Sequence, residues 1–216
     1  MQSLASPQLP SELTVLSDLH AALKCDESLS GFVATNQDLY GAKAKALSIA
    51  EAKLEKVNTS EANFERLSLS DVVFVLCNLT ATNCAEASWR RVQLSNTRCS
   101  GLKIQTSTLK DVVFRDCKLD LSNFRFSRLK NVQFKNCVLD EADFYSSELE
   151  NVQFQGCSLN KAEFSAAKCR FVDLRTSEIA GILGIEGLAG ATIDSVQLIA
   201  ISQLLAQSFK INISDE

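Results

Sequence analysis

Eight cysteines and one histidine are the side chains of this chain best suited to metal binding or nucleophilic chemistry. A zinc site or an activated thiol needs closely spaced Cys and His ligands, or a histidine beside the nucleophile. No C-x-x-C pair occurs, and His20 is the only histidine. The sequence also contains no Gly-rich phosphate loop and no nucleophile elbow. We therefore predict no catalytic residue, no metal site and no cofactor.

The positions of the cysteines indicate a structural role instead. Seven of them fall on a pattern in which a large apolar residue recurs at every fifth position, with a smaller residue two positions before it. An inward thiol behaves as a small hydrophobe, and we expect these seven to fill a core. The larger positions hold Cys84, Cys99 and Cys169, and the smaller ones hold Cys77, Cys117, Cys137 and Cys157. Only Cys25 lies outside the pattern.

The five-residue pattern is regular from residue 61 to residue 180. A period of five matches neither the α-helix nor the β-strand, so the backbone must bend once in every repeat. The large positions are Phe64, Leu69, Phe74, Leu79, Cys84, Trp89, Leu94, Cys99, Ile104, Leu109, Phe114, Leu119, Phe124, Leu129, Phe134, Leu139, Phe144, Leu149, Phe154, Leu159, Phe164, Cys169, Leu174 and Ile179.

The smaller positions repeat at twenty residues. One column of this kind consists of Val72, Val92, Val112, Val132, Val152 and Val172. Four five-residue sides therefore make one coil, and stacked coils place residues i and i+20 about 4.8 Å apart, the spacing of paired strands. The pattern predicts an all-β square solenoid whose turns bury their inward side chains by stacking.

The repeat units resemble those of the pentapeptide-repeat family. The segments Glu-Ala-Asp-Phe-Tyr at 141–145, Lys-Ala-Glu-Phe-Ser at 161–165 and Glu-Ala-Asn-Phe-Glu at 61–65 are similar to its Ala-(Asp/Asn)-(Leu/Phe)-x-x unit. The resemblance implies a right-handed quadrilateral β-helix with both residue series pointing inward. It also implies a possible function, because quinolone-resistance members of that family are thought to imitate B-form DNA and to bind DNA gyrase.

The coil that contains Trp89 departs from the usual Phe and Leu pattern. Its other large positions are smaller than usual, namely Cys84, Leu94 and Cys99. A core of fixed cross-section requires such compensation when one side carries an indole, so we expect Trp89 to point inward. The alternative is a tryptophan that forms part of a binding site.

The ends of the chain follow different patterns. Residues 1–26 are predicted to form an N-terminal cap, either a short helix begun by Ser11 or an irregular strand over the first coil. Residues 27–180 are assigned to the solenoid, including the helix-favouring segment 42–56, because its apolar residues keep the same phase. Glycines recur every third residue from Gly181 to Gly190 and are expected to close the last coil with positive φ angles.

Residues 181–216 are predicted to end in a capping α-helix. Asp194 and Gln197 resemble a capping box, and the helix they open carries more apolar residues than one packing face needs. One side should cover the last coil, and the other could form a homodimer, as the family resemblance also implies. A monomer with a buried cap is the alternative. The candidate dimer residues are Leu198, Ile201, Leu204, Leu205 and Phe209.

Charge on the predicted rod is sorted by side. Residues 61–180 contain fifteen acids and sixteen bases, so the net charge of −4 comes from the chain ends. We predict an interaction face from two outward basic columns, Arg90, Lys110, Lys130 and Arg170 on one side and Arg115, Lys135 and Arg175 on the next. Acidic positions follow on the adjoining sides, at Asp120, Asp140, Glu141 and Asp143. The alternative is ordinary solvated surface charge.

These observations favour a non-enzymatic interaction module that presents a charged, rigid face to a protein partner. Direct binding to nucleic acid and insertion into a membrane are not expected, and the chain is predicted to be cytoplasmic because no apolar run or signal-like segment occurs. The alternative is a DNA mimic that binds DNA gyrase and gives quinolone resistance. A rod of near-zero net charge imitates a polyanion poorly.

Exposed apolar residues are a second candidate surface, namely Leu76, Leu121, Phe126, Phe171, Val73 and Val75.

Overall fold

A computed structural model describes residues 4–23 and 28–214, and shows a parallel β-solenoid of about 9 turns with a C-terminal helix. Its first elements are β1 (Thr14–Val15), α1 (Leu19–Ala22), β2 (Ser28–Ser30) and β3 (Phe32–Thr35). The central strands are β4 (Ser48–Glu55), β5 (Ser68–Val75), β6 (Ser88–Ser95), β7 (Thr108–Arg115), β8 (Arg128–Lys135) and β9 (Glu148–Gln155). The last elements are β10 (Lys168–Arg170), β11 (Val172–Asp173), a 3-10 helix (Ile185–Leu188), β12 (Ala191–Thr192) and α2 (Ser195–Ser208).

Neighbouring coils pair in a strict twenty-residue register. Strand β7 pairs with β8 in parallel through Leu109↔Leu129, Val112↔Val132 and Phe114↔Phe134. Each eight-residue strand turns one corner of the square and so contributes two sides of a coil. Isolated bridges such as Asn58↔Asn78 and Asn63↔Asn83 form the other two sides. The predicted four-sided solenoid is confirmed. Segment 42–56 belongs to it, since Lys43 bridges Asn63 and residues 48–55 form β4.

Every corner of the coil is made in the same way. From Asn36 to Thr176, each fifth residue has a positive φ, close to the left-handed helical value. Glycine occupies only three of these corners, Gly41, Gly101 and Gly156. A non-glycine residue in this conformation costs about 1–2 kcal/mol. Backbone hydrogen bonds between coils hold the corners in place, as where the Arg66 N–H donates to the Ala85 carbonyl at 2.8 Å.

Two stacks of phenylalanine rings fill the core of the later coils. Rings twenty residues apart stack in parallel, with centroids 5.0 Å apart for Phe114–Phe134 and for Phe134–Phe154. The second stack faces the first edge-on, and Phe124 and Phe134 lie 6.0 Å apart at 87°. The predicted inward column is therefore confirmed. Edge-to-face and offset pairs stabilise by about 0.5–1.5 kcal/mol each beyond the burial of their area.

Trp89 points inward, as its small coil neighbours predict. The indole is 1% exposed, and Cys84, Leu94 and Cys99 are equally buried. The indole Nε1–H has no hydrogen-bond acceptor among the described residues. The ring therefore fills the core at the cost of a buried donor that forms no hydrogen bond. A cavity of only ≈ 30 Å³ lies between Trp89, Cys84 and the earlier coils.

Of the two alternatives for the N-terminal cap, the structure shows the short strand over the first coil, whereas the C-terminal end departs from the predicted boundary. At the N-terminus no helix begins at Ser11, because α1 is a single turn capped by the Asp18 side chain, which accepts from the Ala21 N–H at 2.9 Å. Strand β1 pairs with β3, and Leu19 is buried over the first coil. At the C-terminus the register continues past residue 180, since Leu183 still bridges Glu163.

The closing glycines serve two purposes, only one of which was predicted. Gly184 and Gly190 have φ values of +66° and +87°, as expected for tight turns. Gly187 has an ordinary φ but lies against the preceding coil, where a Cβ atom would come within 1.8 Å of the Phe164 carbonyl oxygen.

None of the helices of residues 4–23 and 28–214 is both long and apolar enough to cross a membrane.

The predicted capping box of α2 is present, and Gln197 does more than cap the helix. Its backbone N–H donates to Asp194 Oδ1, and its Oε1 accepts from the Asp194 N–H. Its Nε2 donates to the carbonyls of Leu174 and Ser177 at 2.7 and 2.6 Å. These carbonyls belong to the last coil, so one buried side chain joins the helix to the end of the solenoid.

We expect Cys84→Phe to destabilise the protein by about 1–3 kcal/mol or more, because overpacking forces side chains off their rotamers. The ≈ 30 Å³ cavity beside Trp89 is too small for a phenyl ring. Urea unfolding measures the change, with Cys84→Val as the control that adds much less volume than phenylalanine. A Cys84→Phe protein as stable as the control would contradict the packing described for this coil.

We expect Gln197→Ala to cost about 2–4 kcal/mol, because it removes a cap interaction and leaves two buried carbonyls without a donor. Gln203→Ala, at an exposed position of the same helix, should change stability by less than about 0.5 kcal/mol. Thermal unfolding followed by circular dichroism gives both values. Equal stability of the two variants would show that the Gln197 side chain does not hold the helix.

Candidate interaction surfaces

The cysteines lie inside the rod, as predicted. Cys77, Cys84, Cys99, Cys117, Cys137 and Cys157 are buried and Cys169 is half-buried, all of them as free thiols. Burial raises the pKa of Cys84 to about 12 and that of Cys169 to about 11. Thiols in the small-residue column donate to backbone carbonyls of the preceding coil, as Cys137 does to Phe114 at 3.4 Å. These groups serve packing. Cys25 lies outside the described residues.

The two predicted basic columns are real, but each is interrupted. Arg90, Lys110 and Lys130 occupy three consecutive rungs of β6, β7 and β8. Glu150 takes the next rung and lies 3.1 Å from Lys130, so Arg170 stands apart from the other three. In the second column Arg115 and Lys135 are neighbours in the strand register of β7 and β8. Gln155 occupies the next position and separates them from Arg175. Arg175 is itself bound to Asp173 at 2.7 Å.

The unpaired cations are concentrated where the two columns are continuous. Arg90, Lys110, Arg115 and Lys135 make no ion pair with another described residue, and three of these side chains are exposed while Lys135 is half-buried. Like charges on neighbouring rungs repel each other, and this repulsion is relieved when an anionic group binds. In this part of the predicted face, the positive charge is not neutralised by any ion pair with another described residue.

Charge is also separated along the axis of the rod, from one group of coils to the next. Comparing the four sides of the coil does not show this separation. Between residues 88 and 138 there are eleven bases and three acids, a formal charge of +8. Between residues 139 and 166 there are six acids and one base. We call the first region the basic belt. It includes six further cations that sequence reasoning had not assigned to a site, namely Arg91, Arg98, Lys103, Lys118, Arg125 and Arg128. A count of charge per twenty residues would have found it.

The acidic positions on the adjoining sides are largely engaged within the rod. Asp120 accepts from the Ser100 hydroxyl at 2.6 Å, and Asp140 accepts from the Asn160 N–H at 3.1 Å. Asp143 lies 3.1 Å from Arg125. These carboxylates connect neighbouring coils.

The exposed apolar corner residues do not form one patch. Leu76, Leu121, Phe126 and Phe171 are all more than half exposed, but they lie on four different corners of the coil. Phe126 packs edge-on against Tyr145 at 5.7 Å, and Arg125 lies 4.5 Å above the Tyr145 ring. Scattered apolar residues of this kind are ordinary on a protein surface.

The middle of one corner column is buried or half-buried, although its residues point outward. Asp71 accepts hydrogen bonds from the Arg91 guanidinium, from the Gln8 N–H and from the Ser70 hydroxyl. These bonds, chiefly that from Arg91, lower the pKa of Asp71 to about 2, so it remains ionised at neutral pH. Asn131 Nδ2 donates to Asp111 Oδ1 at 3.0 Å on the same corner. Sequence periodicity gives no signal for this burial, since the covering residues come from the N-terminal segment.

The C-terminal helix divides the predicted dimer residues into two groups. Ile201 is buried against the solenoid, and Leu204 and Leu205 are half-buried against the same core. Leu198 and Phe209 are exposed. The other apolar residues exposed on and after the helix are Val196, Ile199, Ile211 and Ile213. The packing explains the division, because the first two turns of the helix are anchored to the solenoid through Gln197 and Ile201.

Comparison with solved structures finds chains of low sequence identity. A trypsin-treated form of QnrB1, a plasmid-mediated fluoroquinolone resistance protein, is 18% identical, covers 94% of this chain and 99% of its own, and has a TM-score of 0.39. HetL, a pentapeptide repeat protein involved in heterocyst differentiation regulation from the cyanobacterium Nostoc sp. strain PCC 7120, is 17% identical, with coverages of 76% and 89% and a TM-score of 0.30. No curated protein sequence gives a match.

A family model described as a pentapeptide repeat region matches residues 47–124 and 107–182. The two matches overlap and together span more than half of the chain, over the same coils whose register and inward columns are described above. The chain therefore belongs to the pentapeptide repeat family.

Proposed function

We propose that this protein is a non-enzymatic interaction module, a rigid rod whose basic belt binds an acidic surface of a protein partner. Pentapeptide repeat proteins are generally structural or interaction modules rather than enzymes. The observation that carries the proposal is the +8 charge of residues 88–138, with the unpaired cations Arg90, Lys110, Arg115 and Lys135 on two adjoining sides.

The dimensions of the belt favour a compact acidic patch over a long polyanion. Two and a half coils correspond to a height of about 12 Å at the strand spacing. Acidic segments follow the belt and precede it, since residues 139–166 hold six acids and one base and residues 51–86 hold six acids and three bases. A nucleic acid lying along the rod would meet like charge at both ends. A folded partner with an acidic patch would not.

The alternative is a DNA mimic that binds DNA gyrase and gives quinolone resistance. QnrB1 is described as a fluoroquinolone resistance protein. A mimic must present one continuous negative field, whereas the middle of this rod is positive. We therefore place this function second.

Reversal of the belt charge should weaken binding to an acidic probe at least about tenfold, because close charge pairs contribute on the order of 1 kcal/mol or more each. The variant is Arg90→Glu with Lys110→Glu and Lys135→Glu. The control is Lys43→Glu with Lys56→Glu and Arg66→Glu, which changes net charge equally at exposed positions outside the belt. Fluorescence anisotropy with labelled poly-L-glutamate measures affinity at low and physiological salt.

Equal loss of affinity in both triple variants would show that net charge matters and the belt does not. The same two variants, used as bait in cell extract, show whether a protein partner depends on the belt.

A gyrase supercoiling assay with and without ciprofloxacin tests the alternative. Protection or inhibition at micromolar protein that survives belt reversal would favour the DNA mimic.

We also propose that the C-terminal helix pairs two copies of the chain. Val196, Ile199 and Phe209 are each about three-quarters exposed, Leu198 is 50% exposed and Ile211 is 59% exposed. Apolar residues concentrated at one end of a rod are typical of an interface. Of the residues predicted for the dimer interface, we retain Leu198 and Phe209, which are exposed. The others pack against the solenoid, namely Ile201, Leu204 and Leu205.

We expect Ile199→Glu with Phe209→Glu to convert a dimer into a monomer, because two carboxylates would be buried at the interface. Gln203→Glu on the same helix should leave the dimer intact. Size-exclusion chromatography with light scattering gives the mass of each protein. A wild-type protein of monomer mass at high concentration would refute the pairing.

A further inference from the structure

The N-terminal segment, residues 4–13, runs along the outside of the rod and is called the strap here. Leu4 lines a small cleft with Asn131, Gln133, Asn151 and Gln153. Four residues later, the Gln8 N–H donates to Asp71 Oδ1 at 2.9 Å. Thr14 then pairs with Phe32 in the first coil. Because Asp71 and Asn131 are three rungs apart on one corner, the strap must run parallel to the rod axis and across the strands.

The burial of the corner residues traces the course of the strap. Glu51 and Phe171, at the two ends of this corner column, are exposed. Between them Asp71, Asp111 and Asn131 are only 6–7% exposed. Outward-facing Val113 is also buried. On the next corner of the coil the corresponding residues are exposed, namely Leu76, Asn96, Asp116 and Asn136. The strap therefore occupies a groove on one corner of the rod.

The floor of this groove is a preformed polar ladder. Arg91 binds Asp71, Asn131 donates to Asp111 at 3.0 Å, and Asn151 donates to Asn131 at 2.9 Å. Most of these groups satisfy one another along the axis, so a ligand need not supply charge. The ionised Asp71 remains able to accept a hydrogen bond from a peptide N–H, as it does from Gln8.

The strap shows what chemistry the groove accepts. Residues 4–11 carry no charge and include Pro7 and Pro10, which favour an extended chain. Leu4, Pro7 and Leu9 are half-buried, and Ala5, Ser6 and Gln8 are exposed. The inward core does not depend on these contacts, because Val72, Val92 and Val112 are fully buried beneath the strands. The hydrophobic core of these coils is therefore formed without side chains from the strap.

We propose that this corner groove is a binding site for extended, uncharged, proline-containing segments of a partner protein, and that the strap is its resident ligand, held in cis. A tethered ligand competes at an effective concentration of ~1 mM, so the intact chain should bind such segments weakly until the strap is released. The groove lies between the two basic columns, yet its binding chemistry does not depend on the charge-based function proposed above.

The test uses the full chain and a fluorescein-labelled peptide with the sequence of residues 4–11. Strap release is produced by Leu4→Gly with Pro7→Gly and Leu9→Gly, which removes the three half-buried side chains. Its control is Ala5→Gly with Ser6→Gly and Gln8→Gly, at exposed positions of the same segment. We expect the released chain to bind the peptide at least about tenfold more tightly than the wild type and the control, by fluorescence anisotropy.

Two further variants locate the binding in the groove. Asn131 and Asn136 are corner residues of the same coil with φ values of 54° and 52°, but only Asn131 lies under the strap. In the released chain, Asn131→Arg should abolish peptide binding, and Asn136→Arg should not.

Hydrogen exchange at the residue 8 amide reports release of the strap directly. Fast exchange in the released chain with no peptide binding up to ~1 mM would overturn the proposal. So would an equal affinity in the wild type, or an amide that stays protected after the three substitutions. Loss of binding to poly-L-glutamate on belt reversal leaves this result unaffected, so the two proposals fail separately.

Discussion

The whole structure depends on one backbone constraint, a left-handed corner at every fifth residue. The corner turns the chain by the same amount each time, so four corners close a coil of twenty residues. Most corner residues carry side chains that disfavour this conformation, at about 1–2 kcal/mol each. The cost is offset by backbone hydrogen bonds between coils and by two inward side chains per repeat. Neither contribution exists in an isolated coil, and stability therefore arises from stacking.

Strict stacking also decides what the surface can do. Each outward position has neighbours of known identity about 4.8 Å above and below it, so charges interact as columns. Lys110 between Arg90 and Lys130 is a column of like charge, whereas Lys130 beside Glu150 is an ion pair. Solvent-exposed ion pairs contribute little to stability, about 0–1 kcal/mol. The difference between the two arrangements matters more for binding, because unpaired cations remain available to a partner.

The ends of the rod show how a repeat structure is terminated. Leu19 covers the first coil, and α2 covers the last through Ile201 and the side chain of Gln197. Exposed strand edges recruit other chains, so both caps protect against uncontrolled association. One face of the C-terminal helix covers the last coil, and a second face leaves apolar side chains exposed to solvent. This exposed apolar face is the one that we propose pairs two copies of the chain.

The sequence alone determined the coil. The five-residue and twenty-residue periods predicted the inward columns, the inward position of Trp89 and the sides on which basic residues lie, because each is a local pattern repeated in phase. The capping box at Asp194 lies outside the repeat and was predicted from the short segment 194–197. Tertiary structure decided what no period encodes. The strap reaches Asp71 and Asn131 from more than sixty positions away, Ile201 faces inward because Gln197 anchors the first turn of α2, and the left-handed corners persist only because neighbouring coils hold them. Contacts that do not repeat leave no periodic signal, and they arise only when the chain is folded.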